Sequence, residues 1–138
     1  MKKIFLDTNI LLDVFLERKH FLQAAQRIWT LCEEKIVHGS ISAISVNNVF
    51  FVIKKLANTE KAYQAVGILL DCFKVIEVNQ NNLSKAYGLM FPDFEDAIQY
   101  QSALQWGAQV LITRNSTGFK NSEISIMDAA MYLSRYHL

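Results

Sequence analysis

Carboxylates open two apolar segments of this chain, at Asp7-Thr8-Asn9 and at Asp93-Phe94-Glu95-Asp96. Each group has a plain local explanation. Asp, Thr and Asn cap helix N-termini, each cap contributing about 1 kcal/mol. Acids in a first turn also complement the helix dipole. The second group carries a further implication. Asp93 and Asp96 stand three apart, so they share a helix face. Ala97, Tyr100, Ala103 and Leu104 continue beside them with core-facing spacing. Asp96 then falls at the edge of a buried face, where an unpaired carboxylate is costly. A bound cation removes that cost, and clustered carboxylates suit hard, oxygen-seeking ions such as Mg²⁺. Two more clusters accompany these. Thr113-Arg114-Asn115 offers a hydroxyl, a cation and an amide. Arg114 suits bidentate contact with a phosphate, and equally a solvated loop. Ser45 reads as an N-cap with Asn47 and Asn48 behind it. Asn48, just inside the helix, is a poor helix former; function and simple surface exposure account for it equally well.

These clusters need elements to bring them together. Lys3 to Leu6 reads as a strand buried on both faces, followed by a helix through Ile10, Leu11, Val14 and Phe15. Phe21 to Glu34 is helical, with Phe21, Ala24, Ala25, Ile28, Leu31 and Cys32 on one face. A weak strand over 37–42 leads to a helix over 45–56. Asn58-Thr59 caps a helix carrying Tyr63, Val66, Leu69 and Leu70. A strand over 73–78, a short helix over 83–90 and a strong helix over 93–106 follow, the last ending at Gly107. Val110 to Thr113 is an apolar strand, 124–126 an edge strand, and 128–136 a closing helix. Alternating strands and helices require crossover connections, hence a parallel sheet covered on both faces. Sites in such sheets lie beyond the carboxyl ends of the strands. Asp7 and Arg114-Asn115 each follow a strand, so the rule selects them.

Composition limits the alternatives. The 138 residues fit one domain, 1–138, with an ordinary share of hydrophobic and charged residues. A net charge of +1 gives no global basic field, so a polyanion has to be held by a local patch or a metal. No apolar run is long enough to span a bilayer, and Asp7 interrupts the N-terminal apolar stretch too early for a signal peptide. A cytoplasmic protein without membrane contact is the expectation. Cys32 and Cys72 read as buried free thiols. His20, His38 and His137 lack the spacing of a metal or catalytic pair, and no glycine-rich phosphate loop or nucleophile elbow is present. Phe50, Phe51, Tyr63, Phe73 and Tyr87 read as core or dimer contacts rather than base-stacking platforms.

Taken in order, these blocks resemble the PIN-domain family, including VapC-like toxins of toxin–antitoxin pairs. The resemblance rests on Phe5-Leu6-Asp7-Thr8-Asn9-Ile10-Leu11-Leu12 and on Ser42-Ala43-Ile44-Ser45-Val46-Asn47-Asn48-Val49. It continues in Asp93-Phe94-Glu95-Asp96-Ala97-Ile98-Gln99-Tyr100 and ends in Leu111-Ile112-Thr113-Arg114-Asn115, with Phe119 behind. Each block alone is weakly diagnostic; the ordered set is specific. It implies a three-layer α/β/α domain with a central parallel sheet of four to five strands. It also implies a Mg²⁺- or Mn²⁺-dependent ribonuclease with a cluster of acids, a homodimer, and RNA and a cognate antitoxin as partners. Asp7 and Asp96 match the family's metal ligands, with Asp93 orienting the water or holding a second ion. Asn48 falls where many members carry Glu, Asn115 where many carry Asp, and Gly118 where a further Asp often lies. Asn48 and Asn115 would then complete the catalytic set. Thr113 and Arg114 would stand at the substrate, Arg114 on a flanking phosphate. The reduced charge at these positions implies weaker metal binding. It also motivates an alternative, a PIN-like module that binds RNA or protein without cleaving.

Overall fold

The computed structural model describes residues 2–119 and 122–138. Five strands form one parallel sheet: β1 (Lys3–Leu6), β2 (His38–Ser42), β3 (Lys74–Ile76), β4 (Val110–Ile112) and β5 (Ser125–Met127). Their spatial order is β3-β2-β1-β4-β5. Among the described residues seven α-helices connect or close them: α1 (Thr8–Phe15), α2 (Leu22–Glu33), α3 (Ala43–Leu56), α4 (Thr59–Cys72), α5 (Gln80–Leu89), α6 (Phe94–Trp106) and α7 (Ala129–Arg135). The chain is a three-layer α/β/α sandwich, as the alternation of strand and helix patterns requires.

The central strands are apolar throughout because helices cover both faces. Side chains alternate along β1, so Ile4 and Leu6 join one core and Phe5 the other. β4 repeats this, with Val110 and Ile112 on the first side and Leu111 on the second. The larger core takes residues from α1, α2, α3, α4 and α7. α6 supplies Tyr100 and Ala103 to the other face, and α5 packs there through Ala86 against Ala97 and Ile98.

β1 pairs with β2 on one side and β4 on the other, Phe5 standing opposite Ser40 and Leu111. Because every pairing is parallel, all the strands end on one side of the molecule. The chain reverses there into helices, and side chains just beyond β1, β2 and β4 are gathered.

Some element boundaries differ from the sequence expectations for local reasons. Ser42, not Ser45, caps α3, accepting from the Ile44 N–H at 3.2 Å. Ser45 lies one turn further in and is fully buried. On α4, Ala62, Ala65 and Leu69 face inward while Tyr63 and Leu70 are exposed. The helical period holds and Leu69 is buried as its spacing suggests, but the residues that share its face are Ala62 and Ala65, which lets α4 pack closely on α3. Phe21 precedes α2 and is partly exposed instead of joining its apolar face.

Candidate functional site

Asp7 ends β1 and caps α1, and only 5 % of it is exposed. One carboxylate oxygen accepts the Thr8 N–H at 2.7 Å; the other accepts the Thr113 hydroxyl at 2.7 Å. Thr113 follows β4, the neighbouring strand, so sheet register alone places these two residues side by side. Asp93 caps α6, its Oδ1 accepting the Asp96 N–H at 3.2 Å. That cap fixes the start of α6 at the same end of the sheet. Asp96 then meets Asn115, whose amide Nδ2 donates to Asp96 Oδ2 at 3.4 Å.

The acids at this end of the sheet raise one another's pKa. Burial first, then the charges of Asp93, Asp7 and Glu95, push Asp96 up to about 6; the Asn115 contact pulls the other way. Burial also raises Asp7, against the opposing hydrogen bonds from Thr113 and Thr8. Glu95 and Asp93 add further upward pressure on it. Among the described residues, no basic side chain is paired with Asp7, Asp93, Glu95 or Asp96. The result is a concentrated negative site with no basic side chain paired to it among the described residues.

Three positions depart from their expected roles. Thr113 is fully buried, so it holds Asp7 and does not meet a substrate at the surface. Arg114 is engaged elsewhere: its Nε lies 3.2 Å from Asp13 Oδ2, and its guanidinium stacks 4.1 Å from the Phe21 ring centre. A flanking phosphate would have to compete with that pairing. Asn115 presents its amide nitrogen to Asp96, while its oxygen accepts the Thr117 hydroxyl at 3.2 Å. Asn48 is half-buried on α3, three residues beyond Ser45 and on the same helix face.

Gly118 has a steric reason. A Cβ there would lie 2.8 Å from Asn115 Nδ2 and 3.1 Å from Asp96 Oδ2. The Asn115 amide occupies the space that a side chain at 118 would need. Beyond Gly118 a cleft of about 780 Å³ opens, lined also by Met90, Phe91, Tyr100, Leu104 and Thr117.

Gln99 is not singled out in the sequence, and Thr8, Ser45 and Glu95 are read there as caps or helix-start acids, yet hydrogen bonds join all four beside Asp7. Glu95 is read from sequence as a helix-start acid, yet it accepts the Thr8 hydroxyl at 3.0 Å. Gln99 is fully buried beneath it. The available signal was spacing, since Gln99 lies four residues beyond Glu95 and three beyond Asp96, on their face of α6.

The donor set can be tested against a divalent ion. Among the described residues, no three His, Cys, Asp or Glu side chains already converge as a cation cage. The chemistry nevertheless fits Mg²⁺ or Mn²⁺. The groups are hard oxygen donors, none is paired with a basic side chain among the described residues, and Mg²⁺ keeps several waters, needing one or two carboxylates from the protein.

Comparison with known proteins places these observations in a family context. The PIN domain family pattern matches residues 3–117. Ribonuclease VapC1 of Aquifex aeolicus is 25 % identical over 142 residues, covering 99 % of this chain and 96 % of that protein. A toxin–antitoxin complex from Klebsiella pneumoniae superposes with a TM-score of 0.69 at 23 % identity, over 91 % of this chain and 97 % of that one. VapBC-1 of nontypeable Haemophilus influenzae gives 0.69 at 20 % identity, over 93 % and 98 %.

Proposed function

The chain belongs to the PIN-domain family, and from that premise we propose that it is a metal-dependent ribonuclease hydrolysing RNA phosphodiester bonds, the toxin of a toxin–antitoxin pair. The observation that carries this reading is the set of carboxylates at the strand ends, paired with no basic side chain among the described residues, with Asp7 and Asp96 at its centre. Similarity to Ribonuclease VapC1 supports the reaction class, and similarity to toxin–antitoxin complexes supports a cognate antitoxin as partner.

Asp7 and Asp96 would hold Mg²⁺ or Mn²⁺, which when bound supplies a Lewis acid for the phosphoryl group and lowers the pKa of water. The chain's own residues do the positioning. Thr113 and the Thr8 N–H hold Asp7 in one orientation through both its oxygens. Asp93 fixes the first turn of α6 and so the direction of Asp96. Asn115 steadies Asp96 from the opposite loop. Asn48 would complete the α3 side without adding charge. The cleft beyond Gly118, next to Asp96 through that glycine, would take the nucleotide beside the scissile bond.

The exposed Phe51, Tyr63 and Leu70 of α3 and α4 supply the apolar surface for a homodimer; sedimentation that gives only monomer at micromolar concentration would remove that part of the proposal. No described helix is long and apolar enough to cross a membrane, and a cytoplasmic location accords with the proposed RNA substrate; cell fractionation tests it.

Incubation with a mixed RNA pool, with Mn²⁺ and with chelator, tests the central reading. Cleavage that needs Mn²⁺ is expected. RNA binding without cleavage in either condition would favour a non-catalytic binding module.

A further inference from the structure

Asp13 is a fully buried carboxylate on α1 with two arginines against it. Arg18 Nη1 donates to Asp13 Oδ1 at 3.3 Å, and Arg114 Nε lies 3.2 Å from Oδ2. A buried charge has to be paired, but one guanidinium balances one carboxylate. Arg18, just beyond the end of α1, meets that need and reaches Asn9 Oδ1 at 3.3 Å as well. Neutrality is therefore not what brings in Arg114 from the other end of the chain.

The second arginine answers a need of its own loop. Arg114 to Thr117 is exposed. Among the described residues, two side chains of this stretch pair with polar groups outside it. Asn115 Nδ2 reaches Asp96 Oδ2 at 3.4 Å, a long contact. Arg114 is the firmer hold, since its charge meets Asp13 and its guanidinium stacks 4.1 Å from the Phe21 ring centre. Its two chain neighbours are the residues that touch the acids. The Thr113 hydroxyl donates to Asp7 Oδ2 at 2.7 Å and accepts the Asn115 N–H at 3.1 Å. An anchor at Arg114 thus fixes Thr113 against Asp7 and Asn115 against Asp96 together. The hold is mutual. Asp13 Oδ2 accepts no hydrogen bond among the described residues, so the charge of Arg114 is what compensates that buried oxygen.

We propose that Asp13 is a positioning residue for the site: through Arg114 it sets the loop after β4, so that Thr113 meets Asp7 and Asn115 meets Asp96. The inference rests on the reading of Asp7 and Asp96 as cation ligands and adds how their supports are held in place.

Calorimetric titration of the full chain with Mn²⁺ tests this, with a thermal melt of each variant as a check on folding. The sign of one effect decides. Arg114→Gln removes a positive charge beside a cation site, so electrostatics alone would tighten Mn²⁺ binding. A displaced loop weakens it instead, by about tenfold, the low end of what groups that orient a metal ligand contribute. Asp13→Asn should weaken it as much, and the double variant no further, since the two act as one unit. Hydrogen exchange of the Asn115 amide should quicken in each variant while the amides of β4 keep their protection. Tighter binding by Arg114→Gln, or a loss there that Asp13→Asn does not share, would overturn the proposal and leave the metal reading intact. So would an equal loss in Ile53→Val, a core change in the last turn of α3, because reduced stability alone would then be the cause. A parent that binds no Mn²⁺ overturns both.

Discussion

Asp96 is the residue whose chemistry is most open to measurement. Its pKa of about 6 exceeds the ordinary 3.8, because burial and three neighbouring acids disfavour its charge. The folded state therefore binds this proton more tightly than the unfolded chain. Stability is penalised fully above pH 6 and recovers as pH falls through the interval down to 3.8. Asp96→Asn should thus melt a few degrees above the parent at neutral pH, and the gain should vanish below 3.8. Thermal melts across that range give the answer; a gain that does not depend on pH would show that charge is not the cause. Individual residues were legible in sequence where a motif named them, as with Asp7, Asp93 and Asp96. The contact of Glu95 with Thr8, and through it with Ser45 and Gln99, was not, because these residues come from three separate elements. The Arg114–Asp13 pairing was hidden for a similar reason, since nothing in the local sequence joins positions so far apart.

At the scale of elements, α1 and the loop after β4 are tied by more than sheet pairing. Asp13, on α1, is fully buried and pairs with Arg18 at 3.3 Å and Arg114 at 3.2 Å. Arg114 sits between Thr113 and Asn115, the residues that hold Asp7 and Asp96. Removing the carboxylate leaves two guanidiniums facing each other around a void. Both are partly exposed, so the loss should fall below the full cost of breaking a buried pair, at about 2 kcal/mol for Asp13→Ala. Urea unfolding measures it, and a loss under about 0.5 kcal/mol, the range of an ordinary surface substitution, would contradict the tie. The strands and most helices followed from periodicity alone, since β1 and β4 must be apolar to lie between helices. The buried face of α4 did not. Its large residues suggested the core, but close packing on α3 selected the alanines at 62 and 65.

Across the whole molecule, β1 and β4 supply side chains to both cores, so the cores on the two faces of the sheet are joined through the same strands. Chemical unfolding should therefore be one cooperative transition, with near- and far-ultraviolet dichroism coincident; separate transitions would show that the chain is not a single domain. The parallel topology was readable from the alternation of elements, and with it the end of the sheet where the acids gather. The pairing order was beyond reach, because it depends on which helix crosses to which face. The central claim is that this sheet end is a metal-dependent ribonuclease site. The most direct measurement compares RNA cleavage by the parent and by Asp7→Asn in Mn²⁺, with thermal melts of both. Cleavage by the parent and at least a hundredfold loss in a variant that still folds is the expected result, on the order of what one catalytic group contributes. Equal cleavage by the two proteins, or none by a parent that has bound Mn²⁺, would contradict it.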